Sequence, residues 1–452
     1  MSTNRELPGS PVPEEEEEAF VNPDEAAEEI VEDDGDAPMS DDDDDQDDGE
    51  TQEVLLENNS VAYFDQHTDA IYALATHPQN PAVFISGGGD DLAYIWKFAA
   101  EPEPHTEAIA VLEGHTDSVV ACGFFKPEGT WAWTAGLDGK FRAYKGSKAG
   151  WKCEFEVKEV EEIVWAEGHP TMGLVVLGGN DGSCWVYNLD EGEVSMVSSF
   201  HGHTMSCTAG TWRGTDVATV SEDGSFYLWD GMSGVGEVGL NAKDARFAVE
   251  GGLYSVAVHP GGKVAVVGGA SGDIRAIGLP GGGAVGNIGG TTQVATSGRP
   301  EKSGGGSTGG GQVGQVIAAI QAHSESVETL SFGKAPTVPY LASGAVDGKI
   351  VIYDMQRDFA IRKEIENAHS DAIVKIEFSG RATGDDPNTL TSVGMDGKVK
   401  RWDVRTGAEI GTWKGHSEGI LCLVLGSESL VATAGDEGVA MIFDGKDIPK
   451  SS

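Results

Sequence analysis

Positive charge is what this sequence has least of. Thirty Lys and Arg stand against 74 Asp and Glu, a formal net charge of −44 over 452 residues. That deficit argues against nucleic-acid binding, which needs a basic footprint, and against a phosphopeptide site, which needs clustered Arg. Cysteine is also scarce. Cys122, Cys153, Cys184, Cys207 and Cys422 are scattered, with no CxxC pair. Neither a zinc site nor a disulfide framework is expected, and buried free thiols fit a reducing compartment, the cytoplasm or also the nucleus. No apolar run is long enough to span a membrane, and no secretory leader is recognisable. The stretch GGGSTGGGQ lacks the Lys and helix that a phosphate cradle needs. His201 and His203 form an HxH pair with no further ligands near them in sequence. No cofactor, metal or catalytic group is therefore expected, and the chain is not read as an enzyme.

What the chain does have is a unit that recurs eight times. Each copy carries a tight-turn pair whose second members are Asp91, Gly139, Gly182, Gly224, Gly272, Gly348, Gly397 and Gly438. Their spacings are 48, 43, 42, 48, 76, 49 and 41. Five places on stand Trp96, Tyr144, Tyr187, Trp229, Ile277, Tyr353, Trp402 and Phe443, seven of them aromatic. A period in the forties with a Trp-Asp ending is the signature of WD-repeat blades. The chain is expected to be all-β, an eight-bladed WD-repeat β-propeller, with each blade a four-stranded antiparallel sheet. Runs such as KIVIY and FYLWD suit strands with one buried face. The turns should need positive φ.

Histidines precede six of the turns: His67, His115, His203, His323, His369 and His416. In WD repeats such a His joins a Ser or Thr, the turn Asp and the Trp in one hydrogen-bonded set. Only the fourth unit reads as complete, with His203, Ser221, Asp223 and Trp229; in the seventh, Gly394 replaces the Ser. The third and fifth units lack the His, but Leu253 to Pro260 echoes Ile71 to Pro78 and supports a count of eight. The last unit stops at its third strand, so Glu53 to Phe64 is expected to supply its outer strand and close the ring.

Residues 1–52 read as a disordered acidic tail and 53–448 as the propeller. The first 50 residues hold 22 acids and only Arg5 as a base, too polar to offset the entropy of ordering. Residues 281–314, with 14 glycines in 34, read as a flexible insertion.

Subtracting −21 for those first 50 residues from −44 leaves −23 on the rest. A folded domain with that excess favours a cationic partner, steered by its field and released by salt. The position two before each inner strand reads Asp69, Asp117, Glu161, Met205, Gly251, Glu325, Asp371 and Glu418. Six of eight are acidic, and all should share one rim. Glu222 and Asp436 should join them, with Glu328, Tyr72 and Tyr254 at the channel mouth. Such a ring suits an extended Arg/Lys peptide, by charge and cation–π contact. Asp69, Asp117 and Asp371 also have a purely structural role open to them, capping a loop through their own backbone.

The runs EEEEE and DDDDD, the segment QHTDAIYALATHP (Gln66 to Pro78), GHTDSV (Gly114 to Val119) and KGHSEGILCLVL (Lys414 to Leu425) resemble the angio-associated migratory cell protein family. The resemblance spans nearly the whole chain, the Gly-rich insertion being a departure. It implies an acidic propeller face that binds the basic N-terminal segment of a newly made large-subunit ribosomal protein, called L-ten in the fungal members. That dedicated chaperone would shield the segment until 60S assembly and be a monomer apart from its client, with no direct nucleic acid and no membrane. The alternative is a histone chaperone or chromatin adaptor that binds basic tails. A G-protein-like scaffold fits less well, because the acidic tail does not read as helical.

Overall fold

The computed structural model describes residues 57–281, 313–335, 337–380, 386–426 and 429–449. The expectations for the tail 1–52, for 53–56 of the closing segment, and for 282–312 of the insertion lie outside the described residues.

Eight four-stranded antiparallel sheets make up the described chain. Blade 1 runs Ile71–Thr76, Val83–Gly88, Ala93–Ala99 and His105–Leu112, and the next six repeat that order. Their inner strands begin at Val119, Ile163, Cys207, Leu253, Val327 and Ile373, and that of blade 8 at Ile420. Each inner strand contacts the next, and Ile420–Leu425 returns to Ile71–Thr76, so the ring is closed. In blade 8 the outer strand is Ala62–Phe64, paired with Ala440–Asp444. The two ends are further tied by Asn59 donating its N–H to the Lys414 carbonyl and by a Lys414–Glu57 ion pair.

The one-buried-face expectation does not hold. Second strands such as Val83–Gly88 and Trp131–Gly136 are buried at every residue, and Ile350–Asp354 is buried through Tyr353. Each sheet is covered on both faces by its neighbours, so the core is a set of inter-blade clusters. All eight turn residues, Asp91 included, do have φ between 63 and 81°.

The blade hydrogen-bond set is more widespread than the sequence suggests. In blade 7 the Trp402 indole donates to Ser392 Oγ (2.8 Å), Ser392 meets His369 Nε2 (2.7 Å), and His369 Nδ1 meets Asp396 (2.8 Å). Blade 1 repeats it with Trp96, Ser86, His67 and Asp90. In blade 4 the hydroxyl is Thr219, not Ser221, and Ser225 stands between His203 and Asp223. The hydroxyl therefore lies four residues before the turn acid, diagonal to the Trp across the strand pair. The position two before that acid is where the His ring packs. A Cβ on Gly394 would lie 2.9 Å from His369 Nδ1. Gly394 replaces nothing, and Ser221 bonds the Met205 carbonyl instead. Blades 3 and 5 place Val160 and Val249 against the equivalent glycines, Gly179 and Gly269.

Burial alone would raise the Asp396 carboxyl. The His369 hydrogen bond and charge, with the N–H groups of Ser370 and Lys398, outweigh it and hold the acid at about 2, below its ordinary 3.8. A depressed folded pKa stabilises above the unfolded value and is lost as pH falls through the folded one. Asp396→Asn is expected to cost about 2 kcal/mol at neutral pH. In urea titrations the gap from the parent should close as pH drops from about 4 to about 2; a gap constant over that window would refute the account.

Candidate functional site

One rim of the ring is built by the same local geometry eight times. The residue just before each turn acid or its equivalent donates its N–H to the carbonyl of the residue preceding the inner strand. The pairs are Gly89–Ala70, Leu137–Ser118, Asn180–Glu162, Glu222–Ser206, Ala270–Gly252, Val346–Ser326, Met395–Ala372 and Asp436–Gly419. Each turn also abuts the next blade's loop. A Cβ on Gly397 would lie 2.8 Å from the Glu418 carbonyl, and one on Gly438 would lie 2.9 Å from that of Asp69. At Gly397 and Gly438 only glycine tolerates both that approach and the positive φ, whereas blade 1 carries Asp91 at the corresponding turn. Loops and turns thus form a continuous belt.

The predicted loop positions all fall on this belt. Asp69, Asp117, Glu161, Met205, Gly251, Glu325, Asp371 and Glu418 each stand two residues before an inner strand, and all are exposed. The acids therefore run unbroken from blade 6 through blades 7, 8, 1 and 2 to blade 3. The gap at Met205 and Gly251 spans blades 4 and 5. In Asp69, Asp117 and Asp371 one carboxylate oxygen accepts from the next residue's N–H at 2.7 Å. The capping role and an outward-facing charge coexist there, because the carboxylate has further lone pairs.

The channel mouth is shaped by a second eightfold feature. Every inner strand carries a β-bulge one residue in, at Tyr72, Val120, Val164, Thr208, Tyr254, Glu328, Val374 and Leu421. A bulge re-aims its side chain. Tyr72 and Glu328 are exposed and Tyr254 half-buried. Burial and then the charges of Glu222 and Glu328 raise the Tyr254 phenol, so these three residues of blades 4 to 6 share one neighbourhood. Glu222 and Glu328 thus place carboxylates beside the gap in the loop acids. On blade 1, Asp69 and Tyr72 both approach Gly89, within 3.0 and 3.3 Å of a Cβ built there. The structure thus brings acids and tyrosines together on opposite sides of the ring. Asp436 lies on the belt in blade 8, exposed.

Two channel features were not foreseen. Lys375 enters a cavity of about 200 Å³ with Tyr72, Leu74, Val120, Ala166 and Leu421. A deeper cavity of about 380 Å³ adds Lys126, Glu167, Glu377 and Trp133. Burial pushes the Glu167 carboxyl up to about 7, against the Thr211 hydroxyl and the Lys375 and Lys126 charges. The signal available was a charge placed beyond the bulge in VWAEG and VKIEF. Its channel-facing direction depends on the bulge, which sequence alternation does not show.

The WD domain, G-beta repeat family matches residues 58–97 and 314–354. The chain is 30% identical over 422 residues to the ribosome assembly protein SQT1 of Saccharomyces cerevisiae, covering 87% of this chain and 89% of that protein. It is 25% identical over 389 residues to the human angio-associated migratory cell protein, covering 85% and 80%. It also superimposes on the crystal structure of Chaetomium thermophilum Sqt1 bound to the N-terminus of the ribosomal protein L10. There the TM-score is 0.72 at 35% identity, with 86% of this chain and all of that one covered.

Proposed function

The chain belongs to the family of the ribosome assembly protein SQT1, and on that premise we propose that it is a dedicated chaperone for a large-subunit ribosomal protein of the L10 type. It holds the client's basic N-terminal segment on the acidic rim until 60S assembly. The observation that carries this reading is the unbroken arc of six exposed loop acids, from blade 6 round to blade 3, around a mouth that also presents Tyr72, Tyr254 and Glu328. Cationic side chains gain charge-assisted hydrogen bonds from the acids and ring-face contact from the tyrosines. The residues assigned to the client are Glu328, Asp371, Glu325, Glu418, Asp436, Glu222, Asp117, Asp69, Glu161, Tyr72 and Tyr254. The protein acts by binding and not by turnover, in the cytoplasm or nucleus. Six propeller histidines are already engaged in blade hydrogen bonds, which supports that assignment. We assign client binding to the propeller, taken as 53–448, and treat the acidic segment 1–52 as a separate region.

Fluorescence anisotropy with a labelled L10 N-terminal peptide tests the proposal. Saturable one-to-one binding is expected, and it should weaken steeply as salt shortens the screening length from about 10 Å at 0.1 M toward about 3 Å at 1 M. A histone tail of equal charge should compete poorly. Equal competition would transfer the assignment to a general basic-tail chaperone, and salt-independent binding would remove the rim acids from the site.

A further inference from the structure

The molecule's five thiols are not equivalent, and one pair stands apart. Cys184 lies in the third strand of blade 3, Ser183–Asp190, and Cys207 opens the inner strand of blade 4, Cys207–Arg213. Their sulfurs are 3.4 Å apart, both side chains essentially fully buried. Cys122 and Cys422 instead face the backbone carbonyls of Ile85 and Ile71. The contact follows from the rim geometry. Gly182 abuts the carbonyls of His203 and Met205, and that seam between blades sets the cysteines side by side.

We propose that Cys184 and Cys207 are a peroxide-responsive thiol pair that closes to a reversible disulfide stapling blade 3 to blade 4 beneath the rim. The sulfurs must approach from 3.4 Å to about 2.05 Å. Cys207 is the nucleophile. Burial alone raises its thiol, but the Cys184 S–H and the Trp165 indole N–H both point at its sulfur and, with the His203 charge nearby, hold it below the ordinary thiol range. The Trp165 indole N–H lies 3.4 Å from Cys207 Sγ. Cys184 has no comparable set of donors, and burial pushes it up.

The chemistry balances with hydrogen peroxide as oxidant. The Cys207 thiolate attacks one peroxide oxygen. An S–O bond forms, the O–O bond breaks, and the departing hydroxide takes a proton to become water. Cys207 is now a sulfenic acid. The Cys184 sulfur, losing its proton, attacks the Cys207 sulfur. An S–S bond forms, the S–O bond breaks, and a second water leaves. Two thiols and one peroxide become one disulfide and two waters. Peroxide reaches Cys207 through local opening of the loop 202–206, which holds the exposed Met205.

The full-length chain treated with hydrogen peroxide, denatured, alkylated with N-ethylmaleimide and mapped without reductant tests this. No Lys or Arg lies between the two cysteines, so trypsin leaves both on one peptide; cleavage at Glu191 or Glu193 separates them. The expected result is a Cys184–Cys207 cross-link, two fewer alkylated thiols, recovery with dithiothreitol, and a melting temperature higher by several degrees. Cys184→Ser should leave Cys207 as a sulfenic acid trapped by dimedone, and Cys207→Ser should leave Cys184 reduced. Oxidation of exposed Met205 while both cysteines still alkylate fully would overturn the proposal. So would dimedone labelling of Cys184 in place of Cys207.

Discussion

Glu328→Lys combined with Asp371→Lys is expected to weaken binding of the basic client segment about 100-fold, close to 3 kcal/mol. Both positions face solvent on the same rim, Glu328 on the bulge of blade 6 and Asp371 on the loop of blade 7. Reversal removes an attraction and adds a repulsion at each, so the effect exceeds neutralisation. The loss should appear chiefly as slower association and should shrink as salt rises. Asp371 also caps Ala372 at 2.7 Å, so its reversal carries a small structural cost. Asp371→Asn separates the two effects. Its amide oxygen keeps the cap while the charge is gone, and it should show a lesser loss of binding with unchanged stability. Anisotropy with the peptide and urea titration of the same variants supply both numbers. Undiminished affinity in the double reversal would move the client site off this sector.

The second large effect is on ring closure. Phe64→Ala is expected to destabilise the propeller by about 3–5 kcal/mol. Phe64 belongs to the three-residue strand Ala62–Phe64, which has only three register pairs with blade 8. Its ring stacks on Trp96 of blade 1, centroids 4.9 Å apart and planes within 5°, and Trp96 in turn stacks on Phe84 at 4.6 Å. All three are buried. Truncation therefore leaves a cavity at the seam where the two ends of the chain meet, a place with little other means to collapse. Urea or thermal unfolding measures the cost, and limited proteolysis should cut first near residues 57–64. A loss below about 1 kcal/mol would mean the seam holds without its aromatic stack.

The sequence carries its period openly because each blade repeats the same local demands. A tight turn at Gly397 needs positive φ, a buried His369 needs a hydroxyl and an acid, and an aromatic such as Trp402 must cover the next sheet. These are short-range constraints, so the turn positions and the loop acids were legible from spacing, and the blade count from spacing together with the echo of Ile71 to Pro78 in Leu253 to Pro260. The pairing within a blade was less so. The expected Ser221 lies two residues beyond the hydroxyl that bonds, Thr219, because the diagonal reach of a Trp across antiparallel strands is a property of the sheet. The expectation of one buried face failed for a similar reason: a strand such as Val83–Gly88 meets a neighbouring blade on each side.

Local sequence thus determined that the chain is a ring of repeats with an excess of acid, and which residues stand at equivalent places. Tertiary structure alone decided which of them meet. Three of the eight bulges carry Tyr72, Tyr254 and Glu328 at the mouth, and neighbouring blades bring the Glu222 charge near Tyr254 and Cys184 beside Cys207. Those contacts join residues dozens of positions apart, and their direction is set by backbone twist and inter-blade packing, neither of which composition or spacing encodes.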